Sequence, residues 1–156
     1  MIKSSRRLFI KQLTACSFAN YITIQQQLMM NTQGIITRIS TYGVKETIDR
    51  LVIFLEAGGA TVYCRINQQN EVSHSGLAIL PIEFILFGNP AIGGAIMAAN
   101  PLAALDLPLK ILAWEDAGQI VKVAYNDPAY LQKRYTLPQK LTAPLDLTTL
   151  ITKALA

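Results

Sequence analysis

The chain has 156 residues, 51% of them apolar and only 15% charged, which excludes a disordered polymer and leaves room for one domain with a substantial core. The formal charge of +4 suggests an anionic partner, but Lys3, Arg6, Arg7 and Lys11 supply four of the fourteen basic residues, and no acid precedes Glu46. The remaining ten basic and ten acidic residues balance, so the body is neutral and a nucleic-acid-binding surface is not expected.

At the N-terminus, Ser5-Arg6-Arg7-Leu8-Phe9-Ile10-Lys11 resembles the twin-arginine export motif, with Arg6 and Arg7 as the paired arginines. Residues 12–24 are acid-free and moderately apolar, as the middle of a signal should be. Ser17-Phe18-Ala19 offers small residues to a signal peptidase, while Leu13-Thr14-Ala15-Cys16 matches a lipobox whose Cys16 would be acylated. The competing reading is a retained basic arm on a cytoplasmic protein. Export to the periplasm through the corresponding machinery is the expectation, with residues 1–33 as signal or arm plus a polar connector over 25–33. That route carries folded cargo, often around a cofactor, but nothing in the body supplies cofactor ligands and the cofactor stays unknown. No transmembrane span is expected in the body, because its most apolar stretch, residues 91–114, is broken by Asn100, Pro101, Asp106 and Pro108.

The body, residues 34–156, reads as a single domain. Residues 35–41 have the β-branched content of a strand. Val44, Ile48, Leu51, Val52 and Leu55 then fall on one helical stripe, and Gly58-Gly59 ends it where a left-handed C-cap is expected. Residues 61–67 predict a second strand, 68–76 a polar turn or short helix, and 82–87 a third strand stopped by Gly88-Asn89-Pro90. A helix of small residues over 91–99 and a turn over 101–105 come next. Residues 109–115 and 119–125 predict a hairpin around Asp116-Ala117-Gly118. Asp127 can cap a helix with Pro128 at its first position, running to about Tyr135, and residues 145–155 give a last helix entered from Pro144. The order predicts an α+β fold, a two-layer domain with one mixed β-sheet packed against helices, with a doubly wound parallel fold as the runner-up.

The amphipathic helix with Gly58-Gly59, then Gly88-Asn89-Pro90, Asn100-Pro101, Asp106-Leu107-Pro108-Leu109 and Tyr125-Asn126-Asp127-Pro128, together resemble bacterial domain-of-unknown-function family 302 over about residues 44–137. The resemblance implies a small α+β domain, found alone or fused to other modules, for which a homodimer is unsurprising. It names no activity. Relatives often carry an Asp-His pair just after the second strand, where this chain has Asn67-Gln68. His74 does not replace it by spacing and reads as a surface residue.

Chemistry is sparse. The loop Gly88-Asn89-Pro90-Ala91-Ile92-Gly93-Gly94 follows a strand and opens a helix, where backbone N–H groups attract anions, but it is neither a Walker loop nor G-x-G-x-x-G, and close packing explains its glycines. One histidine and no G-x-S-x-G leave no hydrolytic triad, so no catalytic residue is assigned. Glu115-Asp116 reads as a solvated turn, Cys64 as a small buried hydrophobe, and no metal site is expected. Candidate ligand-binding residues are Gly88, Asn89, Asn100, Tyr125, Asn126 and Asp127, whose amides, phenol and carboxylate can orient a small polar ligand without performing chemistry. The expectation is a non-enzymatic module binding a small ligand or a protein. The alternative is an enzyme or cofactor-carrying domain using the 88–94 loop and the Asn126-Asp127 corner. A closed polar pocket there would favour the alternative, and a flat apolar face on the 91–99 helix would favour association.

Overall fold

The computed structural model describes residues 34–156. Arg6, Arg7, Cys16 and the 25–33 connector lie outside the described residues. The elements are β1 (Ile35–Ser40), α1 (Val44–Ala57), β2 (Thr61–Asn67), α2 (Gln68–Ser73), β3 (Ile82–Gly88), α3 (Pro90–Ala99), a 3-10 turn (Pro101–Leu105), β4 (Leu109–Glu115), β5 (Val121–Asn126), α4 (Pro128–Arg134), α5 (Gln139–Thr142), a second 3-10 turn (Ala143–Leu145) and α6 (Thr148–Leu155).

The five strands form one sheet in the order β1-β5-β4-β3-β2, with every neighbouring pair antiparallel. This corrects the mixed sheet expected from the sequence. The β1-α1-β2 unit does return the chain in its original direction, as a crossover should. It delivers β2 to the opposite edge, and the three strands between alternate in direction, so no parallel pair arises. The architecture is α+β.

Strand alternation sorts the side chains. Glu83, Ile85 and Phe87 of β3, Leu109, Ile111 and Ala113 of β4, and Val121, Val123 and Tyr125 of β5 are buried on one face. Against it lie Val44, Ile48, Leu51 and Leu55 of α1 and Ile151 and Ala154 of α6. Burying the four α1 side chains contributes about 6–12 kcal/mol against the unfolded chain. Gly58 has φ −81° and Gly59 has φ +79°, so the left-handed position after α1 falls on the second glycine. Gly34, at φ +71°, sits against the Tyr130 ring so closely that a Cβ would lie 2.1 Å from it, which only glycine permits.

Other expectations shift in detail. Cys64 is exposed, not buried: β2 is an edge strand, and an irregularity between Val62 and Cys64 turns the thiol to the side opposite the core. The hairpin forms, but Gln119 adopts φ +61° in the turn and β5 begins at Val121. The last helix begins at Thr148, behind the Ala143–Leu145 turn, and α5 is an addition unmarked by capping residues in the sequence. His74 is exposed at the end of α2.

One polar cluster crosses the helix–sheet boundary. The buried Glu83 carboxylate accepts from Arg65 Nε and Nη2, and Arg65 Nη1 also donates to Asp49 of α1, which is paired with Lys45. Two carboxylates beside the guanidinium raise its pKa, the Glu83 hydrogen bond first.

Candidate functional site

The chain leaves β3 through Gly88 and enters α3 at Pro90, and Asn89 makes the junction. Its Oδ1 accepts from the backbone N–H of Ala91 (2.9 Å) and Ile92 (3.4 Å), two of the donors a helix start leaves unpaired. Its Nδ2 donates to the Gly59 carbonyl (3.3 Å), tying α3 to the turn after α1. Between α3, the ends of β3 and β4, and the segment before α6, a cleft of about 270 Å³ remains.

Its walls are chiefly apolar. Leu55 and Ala60 come from α1 and its turn, Tyr63 and Phe87 from the strands, and Ile92, Gly93 and Met97 from α3. Leu107, Pro108 and Leu109 form a further wall with Leu145, Leu147 and Leu150. Gly93 presents open space where a side chain would stand, since a Cβ there meets nothing within 4 Å. The polar groups in the lining are Asn89, the Tyr63 phenol and Asp146. Asp146 accepts from the Thr148 N–H (2.9 Å), and hydrogen bonding from Thr148 holds its carboxyl below the usual range, so it is ionised at neutral pH.

Of the residues singled out in the sequence, Gly88 and Asn89 line this cleft. Asn100 stands at the far end of α3, donating from Nδ2 to the Tyr135 carbonyl (2.9 Å) and accepting from the Leu102 N–H (3.0 Å). Tyr125 is buried on the core face of β5, its hydroxyl without a hydrogen-bond partner among the described residues. Asn126 is the last residue of β5, opposite Ile35, and Asp127 caps α4 by accepting from the Ala129 N–H (2.8 Å). Asn100, Tyr125, Asn126 and Asp127 thus stand apart from Gly88 and Asn89. The lining from Leu107 to Leu109 stood out in the sequence only as a family motif, and that from Pro144 to Leu150 only as the entry to the last helix; neither was marked as part of a site. These segments read as ordinary apolar and turn residues until the fold brings them beside α3.

A second polar group surrounds Asp106. Its carboxylate accepts from the Tyr135 hydroxyl (2.6 Å) and pairs with Arg134 (3.3 Å), whose Nη1 also donates to the Tyr130 hydroxyl (3.0 Å). Burial, then the hydrogen bond to Asp106, pushes the Tyr135 phenol up. These contacts join the turn before β4 to α4. Among the described residues no group of three or more His, Cys, Asp or Glu is arranged to hold a metal, and no helix is long and apolar enough to cross a membrane.

A family model described as domain of unknown function DUF302 matches residues 36–155, extending beyond the 44–137 region at both ends. The chain belongs to the DUF302 family. A crystal structure of an uncharacterized conserved DUF302 protein from Bacillus stearothermophilus is similar in fold, with a TM-score of 0.68, 21% identity and coverage of 80% of this chain and 97% of that one. This DUF302 chain is also 38% identical over 104 residues to fluoride-specific ion channel FluC 1 of Brucella suis biovar 1, covering 67% of this chain and 41% of that protein. The same identity relates it to fluoride-specific ion channel FluC 2 of Brucella melitensis biotype 1, of which 38% is covered. The DUF302 chain therefore spans about two-fifths of the length of these curated relatives.

Proposed function

We propose that this DUF302 domain is a binding module, not an enzyme, and that it holds a small, largely apolar molecule in the cleft beside α3. The observation that carries the reading is the cleft itself. Apolar side chains from distant segments meet around about 270 Å³, roughly the space of nine liquid waters, and few polar groups converge on it. Asp146 adds a fixed negative charge to the lining, so the favoured occupant is an apolar body carrying an amine or hydroxyl donor. Among the described residues no nucleophile–base pair lines the cleft, which favours binding over catalysis.

Export by the twin-arginine route and assembly as a homodimer belong to the same proposal. The first rests on Arg6 and Arg7, the second on the largely apolar face of the sheet opposite the one on which the described helices α1 and α6 pack. The similarity to part of two fluoride channels supports a module that also works when joined to a membrane protein. It does not bring fluoride transport to this chain, which covers about two-fifths of those proteins.

Two measurements test the cleft. Native mass spectrometry of the full chain, compared with the denatured chain, should show a small mass that is lost on unfolding. A fluorescent naphthalene amine should bind saturably, and Gly93→Phe, which places a ring in the cleft, should abolish that binding while the circular dichroism spectrum is kept. Undiminished binding of the probe to a folded Gly93→Phe variant would sink the cleft reading.

A further inference from the structure

The face of the sheet opposite the core is largely apolar. Strand register sets its side chains in three rows. The central row is Thr37, Ala124, Leu112, Phe84 and Ile66, the row on one side holds Asn126, Lys110 and Leu86, and the row on the other holds Lys122, Trp114 and Ile82. None of the six residues Ile66, Ile82, Phe84, Leu86, Leu112 and Trp114 belongs to the core or packs on it. Ile35 and Ile39 extend the outer rows and are exposed. The face has no acidic side chain, and Lys122 is neutralised by Asp116 at 2.6 Å.

Resting on the homodimer proposed above, we infer that this face joins the two copies of the chain through a two-fold axis that runs across the strands at the level of Leu112. A face-to-face pair must have its axis in the plane between the sheets, so two orientations compete. An axis along the strands sets Lys110 against the partner copy's same lysine and lays Asn126 and Lys122 on apolar Leu86 and Ile82. An axis across the strands exchanges the outer rows. Lys110 then lies over the partner copy's indole, where a cation is attracted, Lys122 meets an amide, and every isoleucine or leucine of the outer rows meets another. The central row meets itself, apolar on apolar from Ala124 to Ile66 and threonine on threonine at the β1 edge. Only the second arrangement is complementary in charge, and it matches the aligned packing that two twisted sheets adopt at about 10 Å separation.

The area reaches the minimum for a specific interface. Five strands about 4.8 Å apart, each six or seven residues long at about 3.3 Å per residue, make a face of about 500 Å². Two such faces remove about 1,000 Å² in total, the lower limit for a specific interface and the size of a weak, reversible dimer.

The test uses the full chain. Sedimentation velocity should give a dimer at micromolar concentration, and emission of Trp114, the single tryptophan, should shift to the red on dilution as the indole is released to water. Leu112→Glu places two carboxylates on the axis and should weaken dimerisation about 30-fold or more. Thr37→Arg, at an exposed position of the same row, should do likewise without touching the core. Lys133→Glu on α4 should leave the dimer intact. A wild-type monomer overturns the inference: red emission would then mean an open face, and blue emission a face covered by residues 1–33. A dimer that persists in folded Leu112→Glu and Thr37→Arg variants also overturns it and moves the interface elsewhere. None of these results depends on whether the cleft binds a ligand.

Discussion

Asn89 offers the sharpest test of whether a polar residue at the cleft is structural. Its oxygen caps α3 through two backbone N–H groups and its amide reaches the Gly59 carbonyl at 3.3 Å. Removing the side chain in Asn89→Ala costs about 1 kcal/mol for the cap. The longer, exposed amide bond adds about 0.5 kcal/mol. The sum, about 1.5 kcal/mol, corresponds to a fall of about 6 °C in Tm for a domain of this size. Asn89→Asp keeps a cap oxygen and sets a negative charge at the N-terminus of a ten-residue helix, losing only the amide donor, so it should stay within about 0.5 kcal/mol of the wild type. Urea unfolding followed by far-ultraviolet circular dichroism and by Trp114 emission measures both. Equal destabilisation by the two variants would refute the capping argument. A stable Asn89→Ala variant that fails to bind the probe would show that the side chain serves a ligand instead.

Arg65→Met strips the buried Glu83 carboxylate of its cation and should destabilise the fold by about 3 kcal/mol, while Arg65→Met combined with Glu83→Leu should recover most of that loss in urea titrations. Gly94 lies inside α3 with open space at its Cβ, so Gly94→Ala should raise stability by about 0.5–1 kcal/mol, read as a higher urea midpoint. At alkaline pH, the raised Tyr135 pKa means a contribution that is full below the unfolded value of 10.0 and is lost as pH rises through the folded one. Tyr135→Phe should lower stability at neutral pH by about 1 kcal/mol and flatten the alkaline decline of the urea midpoint. In acid the sign reverses: Asp49, held low by Lys45 and then Arg65, and Asp146, held low by Thr148, contribute above 3.8, and stability falls as pH drops through their lower folded values. Asp146→Asn should make that acid slope shallower in midpoint-versus-pH measurements.

Much of the local structure was readable because it is written in short-range patterns. The α1 stripe of Val44, Ile48, Leu51 and Leu55 is a 3.6-residue period, and the starts of α3 and α4 are marked by Asn89-Pro90 and Asp127-Pro128, whose Asn and Asp side chains cap those helices. The candidate site was half legible for the same reason. Asn89, Asn100 and Asp127 stood out as polar residues before proline, and all three act as helix caps in the structure, with only Asn89 also at the cleft. The role of Leu107, Leu145 and Leu150 as apolar lining escaped notice, because a leucine in a turn or a helix carries no mark of what it will face.

The sequence by itself determined most of the elements, the buried stripe of α1 and the family, since these depend on neighbours a few residues apart and on spaced turn motifs. The tertiary structure alone decided the strand order, and with it the all-antiparallel sheet. A strand-helix-strand unit says which way the chain returns, and does not say how many other strands will insert between its ends. That same order put Cys64 on an edge strand and set the ends of β3 and β4 beside α3 to open the cleft. Each is a long-range consequence of how the strands are permuted, and pairing energy between strands distant in sequence has no local signature.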